Sequence, residues 1–312
     1  MKFKQLILAL PLACLMQLAS HAVAQPAQES PLVQARQGIT TKIIRQGEKF
    51  PAIPAPPAGV FERVQYKSPV GALAAYVTPK PDGNGKYPAI VWITGGDSNS
   101  LDEMWTPKPR ANDQSAAAYR KKGLVLMLPS LRGGNDNPGQ RESFYGEVDD
   151  VIAAADYLAS LPYVDPKRIY LGGHSTGGTL AMLVAASTSK FRGVFAFGPV
   201  ASASYYGSNY NYYDLKDMQE IRLRAPILWL GSVRSDMYVL EGADGGNVED
   251  LRDMQRKNQN QAIRFREVEG KTHFSVLAPA NEMIAEKIIA AAKSGGEVDI
   301  SPADIREMAR QK

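Results

Sequence analysis

The chain has 312 residues, 44% of them hydrophobic and 22% charged, with 36 Lys and Arg against 32 Asp and Glu for a formal net charge of +4. That near-balance, with no basic run or stripe, points away from a nucleic-acid partner. One cysteine and three histidines leave no disulfide framework and too few ligands for a zinc centre, and no feature calls for a cofactor.

In chain order, Lys2 and Lys4, the apolar run Leu6 to Leu18 and the small residues Ala22-Val23-Ala24 read as an export signal over 1–24, cut before Gln25. A periplasmic or secreted protein is expected. Pro11 and Gln17 interrupt a run already short for a bilayer, and Pro11 and the later Ala-x-Ala outweigh Cys14 as a lipid-attachment cysteine, so no stable membrane anchor is expected. Cleavage would leave 288 residues, none of them cysteine, whose core alone must hold the fold. Residues 25–59 read as a loosely ordered, Pro-rich leader, ending in the extended run Phe50 to Pro57. Val60 to Lys67 and Leu73 to Thr78 alternate as paired antiparallel strands, and Ala89 to Thr94 is a strand apolar on both faces. Helix and strand then alternate: helix Gln114 to Lys122, strand Leu124 to Leu128, helix Gly146 to Ser160, strand 168–172, helix 177–188 and strand Val194 to Phe197. After a Tyr-rich loop over 199–225 come strand Met237 to Leu240, helix Val248 to Asn258, strand Ile263 to Val268 and helix Glu282 to Ala292. This predicts one α/β domain over 60–293, a mostly parallel eight-stranded sheet with helices on both faces, and a peripheral tail over 294–312.

The chemistry concentrates at Gly173-His174-Ser175-Thr176-Gly177, which joins the strand ending Leu171-Gly172 to an apolar helix. A Gly-x-Ser-x-Gly turn between strand and helix is a nucleophile elbow, and Ser175 is its candidate nucleophile. His21 lies in the expected signal and His174 abuts the serine, which leaves His273 as the general base. The Thr176 amide, at the start of the elbow helix, and an amide of Gly95-Gly96-Asp97, with Gly96 preferred, are the expected oxyanion donors. The acid depends on strand register. With the seventh strand at Met237 to Leu240, Asp236 falls at the wrong edge of the sheet and Asp244 follows the carboxyl end, so Asp244 is preferred over Asp236 and Glu241. His174 is expected to pack beside the elbow and tune it. Arg132 is expected either to meet substrate or to pin its glycine-rich loop. Tyr205 and Tyr206, with Tyr210, Tyr212 and Tyr213, form either an aromatic substrate wall or a plain surface loop.

Lys86-Tyr87-Pro88, the run Thr94-Gly95-Gly96, Pro129 to Gly134, Glu147 to Val151, Val164 to Ile169, the elbow and Gly270-Lys271-Thr272-His273-Phe274 together resemble the α/β-hydrolase superfamily. Within it, the chain resembles prolyl-oligopeptidase-like and dienelactone-hydrolase-like proteins, over about residues 60–292. The resemblance implies an acyl-enzyme mechanism in the order Ser, acid, His. The family's strand, glycine and acid pattern fits Gly242 and Asp244, with the acid one residue early. Peptidases of this family usually carry a β-propeller ahead of the catalytic domain, and the leader is too short to form one. The expected partner is therefore a small-molecule ester, with a short peptide as the alternative. A non-catalytic binding protein on the same fold is the reading from another class. The sequence specifies no oligomeric state.

Overall fold

The structure is a computed structural model that describes residues 30–45 and 47–311. The expected export signal and its cleavage site lie outside the described residues. The apolar runs form one sheet of eight strands: β1 (Glu62–Ser68), β2 (Gly71–Val77), β3 (Tyr87–Ile93), β4 (Val125–Pro129), β5 (Val164–His174), β6 (Gly193–Phe197), β7 (Asp236–Gly242) and β8 (Ile263–Val268). Their order is β1-β2-β4-β3-β5-β6-β7-β8. β1 and β2 pair antiparallel, β2 meets β4 antiparallel, and all pairs from β4 across to β8 are parallel.

The helices are α1 (Pro31–Arg36), α2 (Ala117–Lys121), α3 (Glu147–Ser160), α4 (Thr176–Ser187), α5 (Met218–Leu223), α6 (Val248–Lys257), α7 (Leu277–Ser294) and α8 (Pro302–Arg310). Strand side chains alternate between faces, so each strand feeds two cores. Ala89, Val91 and Ile93 of β3 join the core under α3, α4 and α6, while Ile90 and Trp92 join the one under α2, α7 and α8. Helix α4 is buried on all sides from Thr176 to Ala186, which explains its unbroken apolar run from Leu180 to Ala186. Each side chain of the size of Leu180 or Leu183 buried there contributes roughly 1.5–3 kcal/mol.

Four local expectations are corrected. Helix α2 starts at Ala117 rather than Gln114, because the Asp113 carboxylate accepts from the backbone N–H and hydroxyl of Ser115 and closes a turn there. β7 runs two residues beyond Leu240, to Gly242. The 294–312 tail is not peripheral. Ile300, Ile305 and Met308 are buried in the second core, and α8 opens with a reciprocal Ser301–Asp304 cap. The described part of the leader is tied down. Leu32 and Ile53 are buried, Arg36 pairs with Asp149 at 3.0 Å, and Thr41 accepts from buried Arg224 at 2.6 Å.

Candidate active site

Ser175 sits between β5 and α4 with φ +54°, ψ −113°, a conformation that costs a non-glycine residue on the order of 1–3 kcal/mol. The surroundings hold it there: its N–H donates to Phe197 O at 2.7 Å, and its carbonyl accepts from Thr179 N at 2.9 Å. Gly177 is required because a Cβ would run into the carbonyl oxygens of Ile93 and Thr94 at the end of β3.

His273 lies in the turn between β8 and α7. Its Nδ1 is 2.8 Å from Glu241 Oε2. A carboxylate oxygen accepts, so Nδ1 carries the proton and Nε2 presents its lone pair. Glu241 is fully buried near the end of β7. Its oxygens also accept from the N–H groups of Gly242 at 2.8 Å and Asn247 at 3.1 Å, which fixes the carboxylate. Gly198 follows β6 with φ +55°, and a side chain there would overlap the His273 ring and Glu241. The expected pairing of Asp244 with His273 is corrected. Asp244 is exposed in the turn beyond β7 and engages Lys271 O through its own amide. The two extra residues of β7 make Glu241 the strand-end acid and carry the turn past the histidine. Asp236 stands at the amino end of β7, paired with Arg264 at 2.8 Å.

His174 has no solvent exposure, and its ring centroid is 4.4 Å from that of His273. Burial first, and the neighbouring His273 second, lower its pKa to about 3. Its Nε2 donates to the backbone carbonyl of His273 at 3.0 Å, so its Nδ1 is the acceptor, 2.9 Å from the Gln114 amide nitrogen. Gln114 Oε1 in turn accepts from Gly95 N–H at 3.2 Å. Gln114 thus ties the loop after β3 to His174, the residue before Ser175, and His174 in turn ties both to the turn carrying His273. Sequence reading passed over Gln114, since a lone glutamine carries no motif.

The Gly95 amide is occupied by Gln114. Gly96 and Asp97 have the amides of this loop without a partner among the described hydrogen bonds. Thr176, whose N–H lies in the open first turn of α4, donates its hydroxyl to Gly96 O at 2.9 Å and ties helix to loop.

The remaining candidates separate. Arg132 is 4% exposed. Its Nε and Nη2 grip both Asp150 oxygens at 2.9 and 3.0 Å, and its Nη1 meets Glu142 at 2.6 Å. It pins its loop, and the substrate-binding expectation for it is corrected. Tyr205 is 68% exposed and meets no site residue among the described hydrogen bonds and ring contacts, which corrects it likewise. Tyr206 does reach the site. Its hydroxyl is 2.8 Å from Thr179 Oγ1 and interacts with the Ser175 side chain, and its ring stacks on Phe144 at 5.7 Å. Burial raises its pKa.

Residues 110–222, which include the elbow and Tyr206, match the sequence profile of the prolyl oligopeptidase family. The dual function macrocyclase-peptidase POPB of Galerina marginata is 31% identical over 126 residues, 38% of this chain and 16% of that protein. Human prolyl endopeptidase FAP is 31% identical over 140 residues, 42% of this chain and 18% of that protein. The chain thus matches less than a fifth of the length of these relatives. Among solved structures, the acylaminoacyl peptidase of Pyrococcus horikoshii superposes with a TM-score of 0.61 at 13% identity, over 81% of this chain and 44% of that one. The chain has the α/β-hydrolase fold and resembles the prolyl oligopeptidases in the segment that carries Ser175.

Proposed function

We propose that this chain is an exported serine hydrolase that acts as a prolyl-oligopeptidase-like peptidase on short peptides. The observation that carries the reading is the strained Ser175 at the elbow, on the same sheet edge as a His273 whose Nδ1 is held by the buried Glu241. The names of the relatives favour peptides over the esters expected from the sequence, and esters then serve as reporter substrates.

His273 Nε2 takes the Ser175 hydroxyl proton as Oγ attacks the substrate carbonyl carbon. The carbonyl π pair moves onto oxygen, which the amides of Gly96 and Thr176 stabilise; each such donor is worth roughly 10²–10³ in rate. Glu241 faces the imidazolium that forms and keeps the ring from turning. The imidazolium returns its proton to the leaving nitrogen as the C–N bond breaks, leaving an acyl group on Ser175. A water, deprotonated by Nε2, then releases the acid and restores the serine. Tyr206, stacked on Phe144 and in reach of the Ser175 side chain, gives substrate an aromatic surface beside the nucleophile.

Purified protein assayed against prolyl and aminoacyl p-nitroanilides and p-nitrophenyl acetate should turn over both classes, and Ser175→Ala should lower kcat by on the order of 10⁶ while the fold persists. A Ser175→Ala protein keeping a tenth of the activity would refute the nucleophile. Failure on every anilide with turnover of the ester would return the reading to an esterase. Mass spectrometry of the exported protein should find Gln25 at its start; a form beginning at a lipid-bearing Cys14 would contradict export with cleavage after Ala24.

A further inference from the structure

A cavity of about 550 Å³ opens beside the loop after β3, within the range that binds small organic groups. Thr94, Gly95 and Gln114 form its inner side, and Leu101 and Met104 flank it. The outer wall is the leader segment 50–54. That wall is fastened at three carbonyls: Pro51 O accepts from Asn135 Nδ2 at 3.0 Å, Ile53 O from an Arg63 guanidinium nitrogen at 3.3 Å and Pro54 O from the Tyr76 hydroxyl at 2.7 Å. Pro51 and Pro54 have few unfolded conformations to lose, so the strap is inexpensive to fix in place. At its start, the Phe50 ring lies 5.5 Å from the Arg141 guanidinium, which grips both oxygens of Asp97 at 2.6 and 2.8 Å. The Asp97 charge on the cavity lining is therefore compensated; Asp102 and Lys108 also line the cavity, and most of its surface is apolar.

Ser175 does not itself line the cavity, but Gly95 lines it and packs against the elbow. A Cβ on Gly95 would stand 3.3 Å from Ser175 Cβ. In the proposed mechanism the leaving group must face His273 to receive its proton, and the carbonyl oxygen must face the amides of Gly96 and Thr176. Gly95 and Asp97, which line the cavity, flank the Gly96 amide assigned to that oxygen, so a substrate group that passes this loop reaches the cavity.

We infer that the leader-walled cavity is a subsite for an apolar side chain or acyl chain on the acyl side of the substrate, and that segment 50–54 sets how long that chain can be. The inference rests on the serine-hydrolase reading. It predicts a measurable length preference, since each added methylene taken from water raises kcat/KM by about fourfold until the cavity is full.

The test is a series of p-nitrophenyl esters from acetate to decanoate, with a second series in which the acyl group is fixed and the alcohol varies. Ala52→Trp, which fills the cavity from an exposed position, should lower the octanoate-to-acetate ratio of kcat/KM at least tenfold. Phe50→Ala, which opens the wall, should move the optimum to longer acyl chains. Neither should change the ranking of alcohols. Folding is checked by circular dichroism, and Phe50→Ala carries the test if the tryptophan variant does not fold. Acyl ratios within twofold of wild type in a folded variant whose Ser175 still reacts with a fluorophosphonate would overturn the subsite alone. A variant that altered the alcohol series instead would overturn the acyl assignment. Wild-type protein whose Ser175 did not react would overturn the hydrolase reading beneath it.

Discussion

His174 is a buried, neutral imidazole that donates to the backbone of His273, with its pKa held at about 3 by burial and by the neighbouring histidine. In the unfolded chain the same group titrates near its ordinary value, about 6.5. Between these values the unfolded state binds the extra proton, so the stability tied to neutral His174 is complete above about pH 6.5 and is lost as pH falls toward 3. The slope approaches about 1.4 kcal/mol per pH unit in that interval. Thermal unfolding from pH 7 to 4 should therefore fall more steeply in wild type than in His174→Gln, and parallel curves would contradict this account. At this scale the sequence was legible where residue type and position both carried information. Ser175 stands in a motif, and His273 was the one histidine left for a base. Glu241 was harder, because it reads as the polar end of an apolar strand. A carboxylate in the fully buried run Met237 to Gly242 was nevertheless a signal, since glutamate is rarely buried without a partner.

Among the elements, the leader and the Tyr-rich segment brace each other around one buried ion pair. Arg224, after α5, has no exposure; it meets Glu220 at 2.5 Å and the Thr41 hydroxyl at 2.6 Å, and it stacks between Tyr145 and Tyr213 at 4.9 and 4.3 Å. Glu220 also accepts from the Lys42 amide at 3.2 Å. Removing one partner leaves the other charge buried, so Glu220→Ala should destabilise by about 3–5 kcal/mol in urea unfolding. A loss below about 1 kcal/mol would mean that the leader does not brace this segment. Most of the Tyr-rich loop is explained this way. Tyr212 and Tyr213 lie under Arg45 and Arg224, and Tyr206 alone of the five tyrosines reaches Ser175. Periodicity located the helices and strands but could not locate these pairings, because a contact between Thr41 and Arg224 joins residues far apart in sequence and leaves no local pattern.

For the whole molecule, alternation of strand and helix was enough to identify the sheet, and the sheet brings Ser175, His273 and the β3 loop to one edge. The tail was misjudged because Val298 and Ile300 are too few to mark a core segment until the second core, with Tyr238 of β7 accepting from the Ile300 N–H at 3.0 Å, offers them a surface. The central claim is that His273 is oriented by Glu241 rather than by the acid in the following turn. Its most direct test is kcat for a p-nitrophenyl ester in Glu241→Gln and Asp244→Asn proteins, each confirmed folded by circular dichroism. Glu241→Gln should lower kcat by up to ~10⁴ through loss of the histidine's orientation, with Asp244→Asn within about twofold of wild type. An Asp244→Asn protein as impaired as that, beside a Glu241→Gln protein of near-normal rate, would contradict it.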